Sequence, residues 1–314
     1  MKPVRIGARG SALALWQANH ICARLQKEFG LEAEIVIIKT SGDQFTQSAV
    51  SQLGLKGVFI KELEDALIDR RVDLAVHSMK DVPTEIPKGL AFPAITRRED
   101  PRDCLISLNG KSLASLAAGA KVGTGSLRRQ AQLRHHRPDL DLRDLRGNVD
   151  TRLRKLDEGM YDAIVLAKAG LDRLGVAGKI TEVLEPDLML PAVGQGALGI
   201  ESRSTEGSGA DQADRELFEL LRGLDDSATR YGVTAERALL GELEGGCQVP
   251  LGAWGRVERG QLVLDACVLS MDGVDYLRDR LTGAPGEAEI LGRRLGRKLL
   301  ESGADRILRL AGRN

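Results

Sequence analysis

The stretch that decides the fold reads Val72-Asp73-Leu74-Ala75-Val76-His77-Ser78-Met79-Lys80-Asp81-Val82-Pro83. Its apolar run, residues 74–76, predicts a buried strand, and Pro83 cannot continue a ladder of strand hydrogen bonds. Side chains that can carry chemistry therefore fall at or just beyond the carboxyl end of this strand, namely His77, Ser78, Lys80 and Asp81. In open α/β sheets that edge is where ligands bind.

Strands and helices alternate on the N-terminal side of this stretch. A strand over 4–7 is followed by a helix over 12–29 that Gly30 ends, and a second strand covers 33–39. The polar segment 40–57 predicts a loop that covers a site, and residues 59–70 predict an amphipathic helix. This order indicates a parallel α/β layer.

A second α/β unit follows the charged run at 96–103, which has the composition of a crossing between domains. A second crossing is expected at 190–201, where residues 197–201 could return a strand to the first sheet. After Gly246, alternating strands with turns at 259–260 and 272–273 and a helix over 287–302 predict a small antiparallel α+β domain. We therefore expect three domains, which comprise residues 1–98 with 197–224, residues 99–196, and residues 225–314.

The composition excludes several classes of protein. The 45 basic and 45 acidic side chains cancel, so a polyanion binder that works through overall charge is not expected, and any anion site must be local. No apolar run reaches the ~20 residues of a membrane span, and the N-terminus shows no targeting segment, so we expect a cytoplasmic protein. Cysteines 22, 104, 247 and 267 lack the spacing of a zinc site or a disulfide framework.

Two motifs indicate binding or chemistry. The loop at 123–126 opens a helix that carries Arg128 and Arg129, which predicts a carboxylate or phosphate site; a solvated helix start is the alternative. Arg128 stands where a dinucleotide fingerprint needs its third glycine, which weakens that interpretation. Cys247 follows two glycines and precedes Pro250, so its loop is exposed and the thiol is a candidate for function, whereas the other cysteines lie in core patterns.

Several arginines follow predicted strand ends, and Arg9, Arg128 and Arg146 each follow a different strand. Ordinary surface charge explains any one of them alone. In a two-domain α/β protein, however, the three would converge on one cleft, where each charge-assisted hydrogen bond contributes roughly 1.5–3 kcal/mol. Together they predict a binding site for a ligand with several carboxylates.

Motifs spread over nearly the whole chain resemble the porphobilinogen deaminase family. They are Arg5-Ile-Gly-Ala-Arg-Gly-Ser-Ala-Leu-Ala-Leu-Trp-Gln17, Gly57-Val-Phe-Ile-Lys-Glu-Leu-Glu64, Val76-His-Ser-Met-Lys-Asp-Val-Pro83, Ser126-Leu-Arg-Arg-Gln130, Leu145-Arg-Gly-Asn148, Pro191-Ala-Val-Gly-Gln-Gly196 and Leu243-Glu-Gly-Gly-Cys-Gln-Val-Pro250. The resemblance implies two periplasmic-binding-protein-like α/β domains with a cleft between them, and a small C-terminal α+β domain. It also implies an enzyme that condenses four porphobilinogen molecules, with loss of ammonia, on a covalent dipyrromethane cofactor, and hydrolysis then releases the linear tetrapyrrole hydroxymethylbilane. Because no apolar surface stripe demands a partner, we expect a monomer.

The same resemblance assigns roles to individual residues. Asp81 is implied as the catalytic residue, and a carboxylate there can stabilise a cationic pyrrole as an anion. The residues implied to hold the cofactor are Cys247, through a thioether, with Lys80, Asp81, Ser126, Arg128, Arg129, Arg146 and Arg152. Those implied to bind substrate or the growing chain are Arg9, Ser11, His77, Ser78, Arg173, Gln195 and Lys56. Gln52 stands where some relatives carry a lysine, and Gly125 stands where many have a serine, so one loop contact and one hydroxyl of the family pattern are missing.

A non-catalytic two-lobed protein that binds small polycarboxylate anions is the main alternative. It would account for the arginines but not for Asp81 or the exposed Cys247. A nucleic-acid role is disfavoured by the zero net charge and by an aromatic content of only 3%. Transfer of the product to the next enzyme of the pathway is open at this point.

Overall fold

The computed structural model describes residues 3–39, 60–206, 210–243 and 249–311. The chain forms two compact units, one made of Met1–Arg98 with Ala197–Arg230 and the other of Glu99–Gly196 with Tyr231–Asn314. The predicted loop over 40–57 and the segment that carries Cys247 lie outside the described residues.

The first unit is built on one five-stranded sheet. Its elements are β1 (Val4–Ala8), α1 (Ala12–Phe29), β2 (Ala33–Ile37), α2 (Lys61–Ile68), β3 (Leu74–Ser78), β4 (Leu90–Ile95), β10 (Leu198–Arg203) and α6 (Gln212–Arg222). The strand order is β2-β1-β3-β10-β4. Buried side chains of α1 and α6 pack on one apolar cluster of this sheet, and those of α2 pack on another, so both faces are covered.

The sheet of this unit is mixed. β1 pairs in parallel with β2 and β3, as predicted, and the strand expected to return near residue 197 is β10. β10, however, runs antiparallel to β3 and to β4, so the prediction of a parallel layer covers only part of the sheet. The chain enters β10 from the other unit, and it is therefore free of the parallel direction that a βαβ crossover imposes.

The predicted bounds of α1 are confirmed, and both ends have a local cause. The hydroxyl of Ser11 accepts a hydrogen bond from the Ala14 amide and caps the N-terminus. At the other end Gly30 adopts a left-handed conformation with φ 68°, and its amide bonds to the Gln26 carbonyl. Because Ser11 caps the helix, α1 begins only a few residues after β1 ends, so the helix N-terminus lies close to the end of this strand.

The second unit contains two sheets. The first has the order β7-β6-β8-β5-β9 and mixes parallel and antiparallel pairs. Its elements are β5 (Asp103–Ser107), β6 (Lys121–Gly123), α3 (Leu127–His136), β7 (Asp141–Arg143), α4 (Val149–Asp157), β8 (Ala163–Ala167), α5 (Lys168–Arg173) and β9 (Glu182–Leu184). Apolar clusters lie on both of its faces.

The C-terminal sheet is antiparallel, in the order β11-β12-β13. Its strands are β11 (Leu251–Glu258), β12 (Gln261–Leu269) and β13 (Tyr276–Gly283), and the helices of this region are α7 (Ser227–Glu242), α8 (Ala288–Glu301) and α9 (Ala304–Ala311). The predicted turn at Arg259-Gly260 joins β11 to β12 with both residues at positive φ. The predicted fold class, α/β sheets followed by a small antiparallel α+β region, is confirmed.

A membrane-spanning helix would need a long apolar segment. In the residues that the structure describes, no helix is both long and apolar enough to cross a membrane.

Candidate functional site

A pocket in the first unit lies where two parallel strands end. β1 and β3 reach the same edge of the sheet, and the N-terminus of α1 follows β1 there. The polar residues that line the pocket are Arg9, Ser11, Gln17, His77, Ser78 and Asp81. The structure thus brings together most of the predicted substrate-binding residues of this unit with the predicted catalytic residue, as expected at the carboxyl edge of an α/β sheet.

Gln17 contributes to the pocket although the sequence did not single it out. Its side chain is buried on α1, and its amide nitrogen donates a hydrogen bond to the Ser78 hydroxyl at 2.9 Å. This contact ties the start of α1 to the end of β3. A glutamine on the apolar stripe of an otherwise amphipathic helix was the available signal, because a buried amide needs a partner.

Asp81 lies in a short 3₁₀ turn, Met79–Asp81, that follows β3 directly. The Met79 amide bonds to the Ala197 carbonyl, and the buried side chains of Met79 and Val82 anchor the turn on both sides of Asp81. Asp81 itself is exposed, and within the described part of the chain its carboxylate makes no ion pair. Lys80, beside it, is half-buried. The turn therefore presents one carboxylate to the pocket on a fixed backbone.

Behind the pocket lies a buried group of titratable side chains. His77 Nε2 is 2.9 Å from Glu201 Oε2, and both side chains are almost fully buried. The two atoms are close, but neither Nε2 nor the Glu201 oxygens makes a well-aligned hydrogen bond among the described residues. Burial raises the pKa of the nearby Glu64 to about 7, and the charge of Glu201 adds to this effect.

The raised pKa of Glu64 predicts a pH dependence of stability. The folded protein holds this proton more tightly than the unfolded chain, so the contribution to stability is complete below pH about 4.5 and is lost as the pH rises to about 7. As the pH rises from about 4.5 to about 7, the thermal midpoint of Glu64→Gln should therefore increase relative to that of wild type. Glu34→Gln, at an exposed position on β2, is the control. The difference between its thermal midpoint and that of wild type should not change with pH. A difference in thermal midpoint between Glu64→Gln and wild type that also stayed constant with pH would contradict the prediction.

In the second unit, the predicted Arg128 and Arg129 converge on one buried carboxylate. Arg128 Nη1 lies 2.7 Å from Asp103 Oδ2, and Arg129 Nη2 lies 2.8 Å from Asp103 Oδ1. Gln195 also donates to Asp103 at 2.9 Å. Burial by itself would raise the pKa of the Asp103 carboxyl, but the two guanidinium groups outweigh it and hold that pKa well below its usual range.

This network fixes the start of α3. Arg128 also donates to the Leu190 carbonyl at 2.6 Å, and Arg129 to the Val165 carbonyl at 3.0 Å. The Nε of Arg128 is nevertheless buried without a hydrogen-bond partner among the described residues. A buried donor of this kind costs free energy unless a ligand satisfies it, so it fits an anion-binding role beside the helix start.

Three further residues predicted to hold a cofactor lie at or near the starts of helices α3 and α4 of the same unit. Ser126 caps α3 by accepting from the Arg129 amide at 3.5 Å. Arg146 pairs with Asp144 at 2.7 Å, and the Nε of Arg152 donates to the Gly147 carbonyl at 2.7 Å. Arg146 and Arg152 are both partly exposed, so their charges can reach a ligand as well.

Two glycines shape these turns. Gly147 adopts φ 113°, and a Cβ there would lie 2.8 Å from the Thr151 side chain, so only glycine fits. A Cβ at Gly125 would lie 3.0 Å from both the Leu145 carbonyl oxygen and an Asp144 oxygen. A serine at 125 would therefore fit only if Asp144 and the Leu145 carbonyl moved by a few tenths of an ångström.

The structure places Arg173 and Gln195 in buried positions of the second unit. Arg173 donates to the Gly196 carbonyl at 2.8 Å and lies 3.1 Å from a Glu99 oxygen. Gln195 donates to the Pro101 carbonyl at 2.6 Å as well as to Asp103. Their predicted contact with substrate stays a prediction. Lys56, Gln52 and Cys247 lie outside the described residues.

The family models and the curated relatives that match the sequence belong to one family. Residues 4–210 match the family model "Porphobilinogen deaminase, dipyromethane cofactor binding domain", and residues 231–301 match "Porphobilinogen deaminase, C-terminal domain". The chain is 49% identical over 306 residues to a porphobilinogen deaminase of Syntrophobacter fumaroxidans, covering 97% of this chain and 96% of that protein. It is 50% identical to one of Geobacter sulfurreducens, covering 97% and 93%. Among solved structures it is similar to the VFT2 domain of Bordetella pertussis BvgS, at 16% identity and a TM-score of 0.40, covering 70% of this chain and 84% of that one.

Proposed function

Because the chain belongs to the porphobilinogen deaminase family, we propose that the pocket at the ends of β1 and β3 is where porphobilinogen loses ammonia. The chain is a hydroxymethylbilane synthase, which condenses porphobilinogen on a dipyrromethane cofactor in tetrapyrrole biosynthesis. The observation that carries the assignment of the pocket is that Arg9, Ser11, His77, Ser78 and Asp81 line it together.

The pocket suits the charge of the substrate. Porphobilinogen carries an acetate and a propionate on its pyrrole ring, and Arg9 with the N-terminus of α1 supplies positive charge on one side of the pocket. A guanidinium binds a carboxylate with two parallel hydrogen bonds, which also orients it. Ser11, Ser78 and His77 add shorter polar contacts. These groups would hold the ring with its aminomethyl substituent toward Asp81.

Asp81 is the group that can stabilise the charge that develops. When ammonia leaves the aminomethyl group, the substrate becomes a cation delocalised over the pyrrole nitrogen. A carboxylate that accepts the pyrrole N–H stabilises this cation more than the neutral ground state, and that difference lowers the barrier. Asp81 can also pass a proton once substrate is bound. Its place on an anchored turn limits the reorganisation needed during the reaction.

The residues of the second unit fit a cofactor that carries carboxylates. Arg146, Arg152, Ser126 and the buried, unsatisfied Nε of Arg128 provide donors of the right charge. We propose that they hold dipyrromethane, together with Arg129, Lys80 and Asp81. When bound, the cofactor supplies the pyrrole position to which the substrate ring is joined. The protein's own contribution here is to orient carboxylates and neutralise their charge.

We also propose the three-domain division with boundaries at 98, 197 and 225, a monomeric state, and attachment of the cofactor at Cys247. The thiol would then come from the C-terminal domain, Asp81 from the first and the arginines from the second. We also propose that the product is transferred to the next enzyme of the pathway, but we assign no described residue to this transfer.

Intact mass spectrometry tests the covalent part of this function. The purified protein should exceed its sequence mass by one dipyrromethane adduct, because the thioether survives denaturation. Cys247→Ser should return the protein to its bare sequence mass and abolish activity. Cys22→Ser is the matched control, because Cys22 lies on α1 and is partly accessible; this variant should keep both the adduct and the activity.

The same measurement separates the enzyme from a non-catalytic anion-binding protein. A wild-type protein at bare sequence mass that stays inactive after incubation with porphobilinogen would favour the binding protein. An adduct that persists in Cys247→Ser would instead refute the attachment site while leaving the activity in place.

A further inference from the structure

Among the described residues of the first unit, Glu201 is the most deeply buried carboxylate that the mechanism above does not use. It lies on β10 in the middle of the sheet, with 0% of its surface exposed. Bringing a charged carboxylate into such a place costs several kcal/mol unless a partner compensates. An apolar side chain of similar volume would often give equal or greater stability. The presence of a glutamate at this position is therefore not explained by folding alone.

The sheet register directs Glu201 toward His77. His77 on β3 is opposite Gly199 on β10, and Glu201 is the next residue along on the same face. Because Gly199 has no side chain, Met79 and Phe92 fill that part of the face: a Cβ at Gly199 would clash with Met79 Sδ and lie 2.8 Å from the Phe92 ring. The His77 ring thus lies between Phe92, with a centroid distance of 5.9 Å, and Glu201, at 2.9 Å from Nε2.

The imidazole also lines the substrate pocket, so its two nitrogens have different surroundings. Nε2 is turned to Glu201, which leaves Nδ1 for any polar contact with the pocket. A carboxylate that accepts one ring N–H fixes the tautomer and the orientation of a histidine.

We propose that Glu201 is a positioning residue: its carboxylate lies 2.9 Å from Nε2 without an aligned hydrogen bond, and a small rotation lets it accept the Nε2–H of His77 and so fix the ring nitrogen that His77 offers to porphobilinogen. This inference rests on the proposed role of His77 in substrate binding. Glu201 touches no substrate in this arrangement and acts only through the imidazole.

Nitrogen-15 spectra of histidine-labelled protein test the tautomer directly. Wild type should show a protonated Nε2 for His77, which the loss of its signals in His77→Asn identifies among the four histidines. Glu201→Met removes the acceptor and should give the averaged signals of interconverting tautomers. The same spectra recorded in a Cys247→Ser background make this readout independent of the cofactor. A bare Nε2 in wild type would overturn the proposal without any variant at Glu201, and so would unchanged His77 signals in Glu201→Met.

Activity and stability provide the second readout. Glu201→Met should lower kcat/KM for porphobilinogen by about 10- to 100-fold, as loss of a side chain that orients a functional group typically does. The kcat/KM of Glu201→Gln should lie between those of wild type and Glu201→Met. Asp214→Asn is the matched control, because it removes another buried carboxylate of the same unit, one that pairs with Arg203 and Arg70 away from the pocket. That control should lower the thermal midpoint but keep kcat/KM and the His77 signals.

The outcomes also separate this inference from the proposed function. A Glu201→Met protein with wild-type kcat/KM and unchanged His77 signals would show that the carboxylate is structural, and the enzyme assignment would stand. A fully active His77→Asn would refute the substrate role of His77 and with it the functional part of this inference. Absence of both adduct and activity in wild type would refute the function itself.

Discussion

Asp103→Asn is expected to lower the free energy of unfolding of the second unit by about 3–5 kcal/mol, because it leaves two buried guanidinium groups without their counter-charge. Asp103 has 0% exposure, and its two oxygens divide between Arg128 and Arg129 at 2.7 and 2.8 Å. The asparagine keeps the shape of the side chain and can keep its contact with Gln195, but its NH2 group replaces one acceptor, so the change removes both the charge and one hydrogen bond to a guanidinium. Denaturant unfolding followed by circular dichroism measures the loss.

A surface ion pair of the same unit provides the control. Glu158 pairs with Arg154 at 2.8 Å, but both side chains are about half exposed, so Glu158→Gln should change the free energy of unfolding by less than about 0.5 kcal/mol. The double variant Asp103→Asn with Arg128→Met should lose less than the sum of the two single variants, because the second change removes one of the unpaired charges. Additive losses would show that the network is not coupled.

The depressed pKa of Asp103 sets the pH range of this effect. A carboxyl whose pKa is lower in the folded protein contributes stability above its ordinary pKa and loses it only as the pH falls through the lowered value. The difference between wild type and Asp103→Asn should therefore remain at pH 5. The difference in the free energy of unfolding between the two proteins should become smaller only at more acidic pH.

The sequence predicted the position of the site because that position depends on local rules. A short apolar run before a proline gives a strand end, and the carboxyl ends of parallel strands share one edge of the sheet. Arg9 and Asp81 therefore met in one pocket as expected. The C-terminal hairpin was predictable for the same kind of reason, because Arg259-Gly260 suits a two-residue turn at positive φ.

The buried polar partners could not be predicted in the same way, because they depend on pairings distant in sequence. Asp103 appeared only as part of a charged crossing, although it holds Arg128 and Arg129. Glu201 appeared only as the end of a returning strand, and its contact with His77 follows from the antiparallel direction of β10. A charged residue within an apolar or small-residue strand was the signal in both cases, since such a residue needs a partner.

The arginines show how burial divides a set that looks uniform in sequence. Arg128, Arg129 and Arg173 are buried and make ion pairs within the second unit, whereas Arg146, just before α4, and Arg152, in the first turn of α4, are partly exposed. The buried members can orient the site and its helix start, and the exposed members have the freedom to follow different carboxylates. Sequence alone gives all five the same charge. Their depth in the fold is what separates fixed positioning from adaptable binding.

Asp81→Asn is expected to lower kcat by about 10²- to 10³-fold with a smaller change in KM, because it removes a charge that acts mainly in the transition state. Asp81 is exposed and makes no ion pair within the described residues, so the free energy of unfolding should change by less than about 0.5 kcal/mol. Single-turnover consumption of porphobilinogen by protein that carries its dipyrromethane adduct measures the chemical step.

Asp81→Glu keeps the carboxylate but moves it by one methylene, so its single-turnover rate should fall between those of wild type and Asp81→Asn. Glu85→Gln is the matched control, because it neutralises another exposed carboxylate four residues further along the same segment, and it should keep the full rate. Intact mass must show the adduct in every variant, so that a slow rate reports the reaction and not cofactor assembly. If Asp81→Asn and Asp81→Glu both retained the full single-turnover rate, another group would have to stabilise the developing cation. Asp81 would then only line the pocket, without a role in the chemical step.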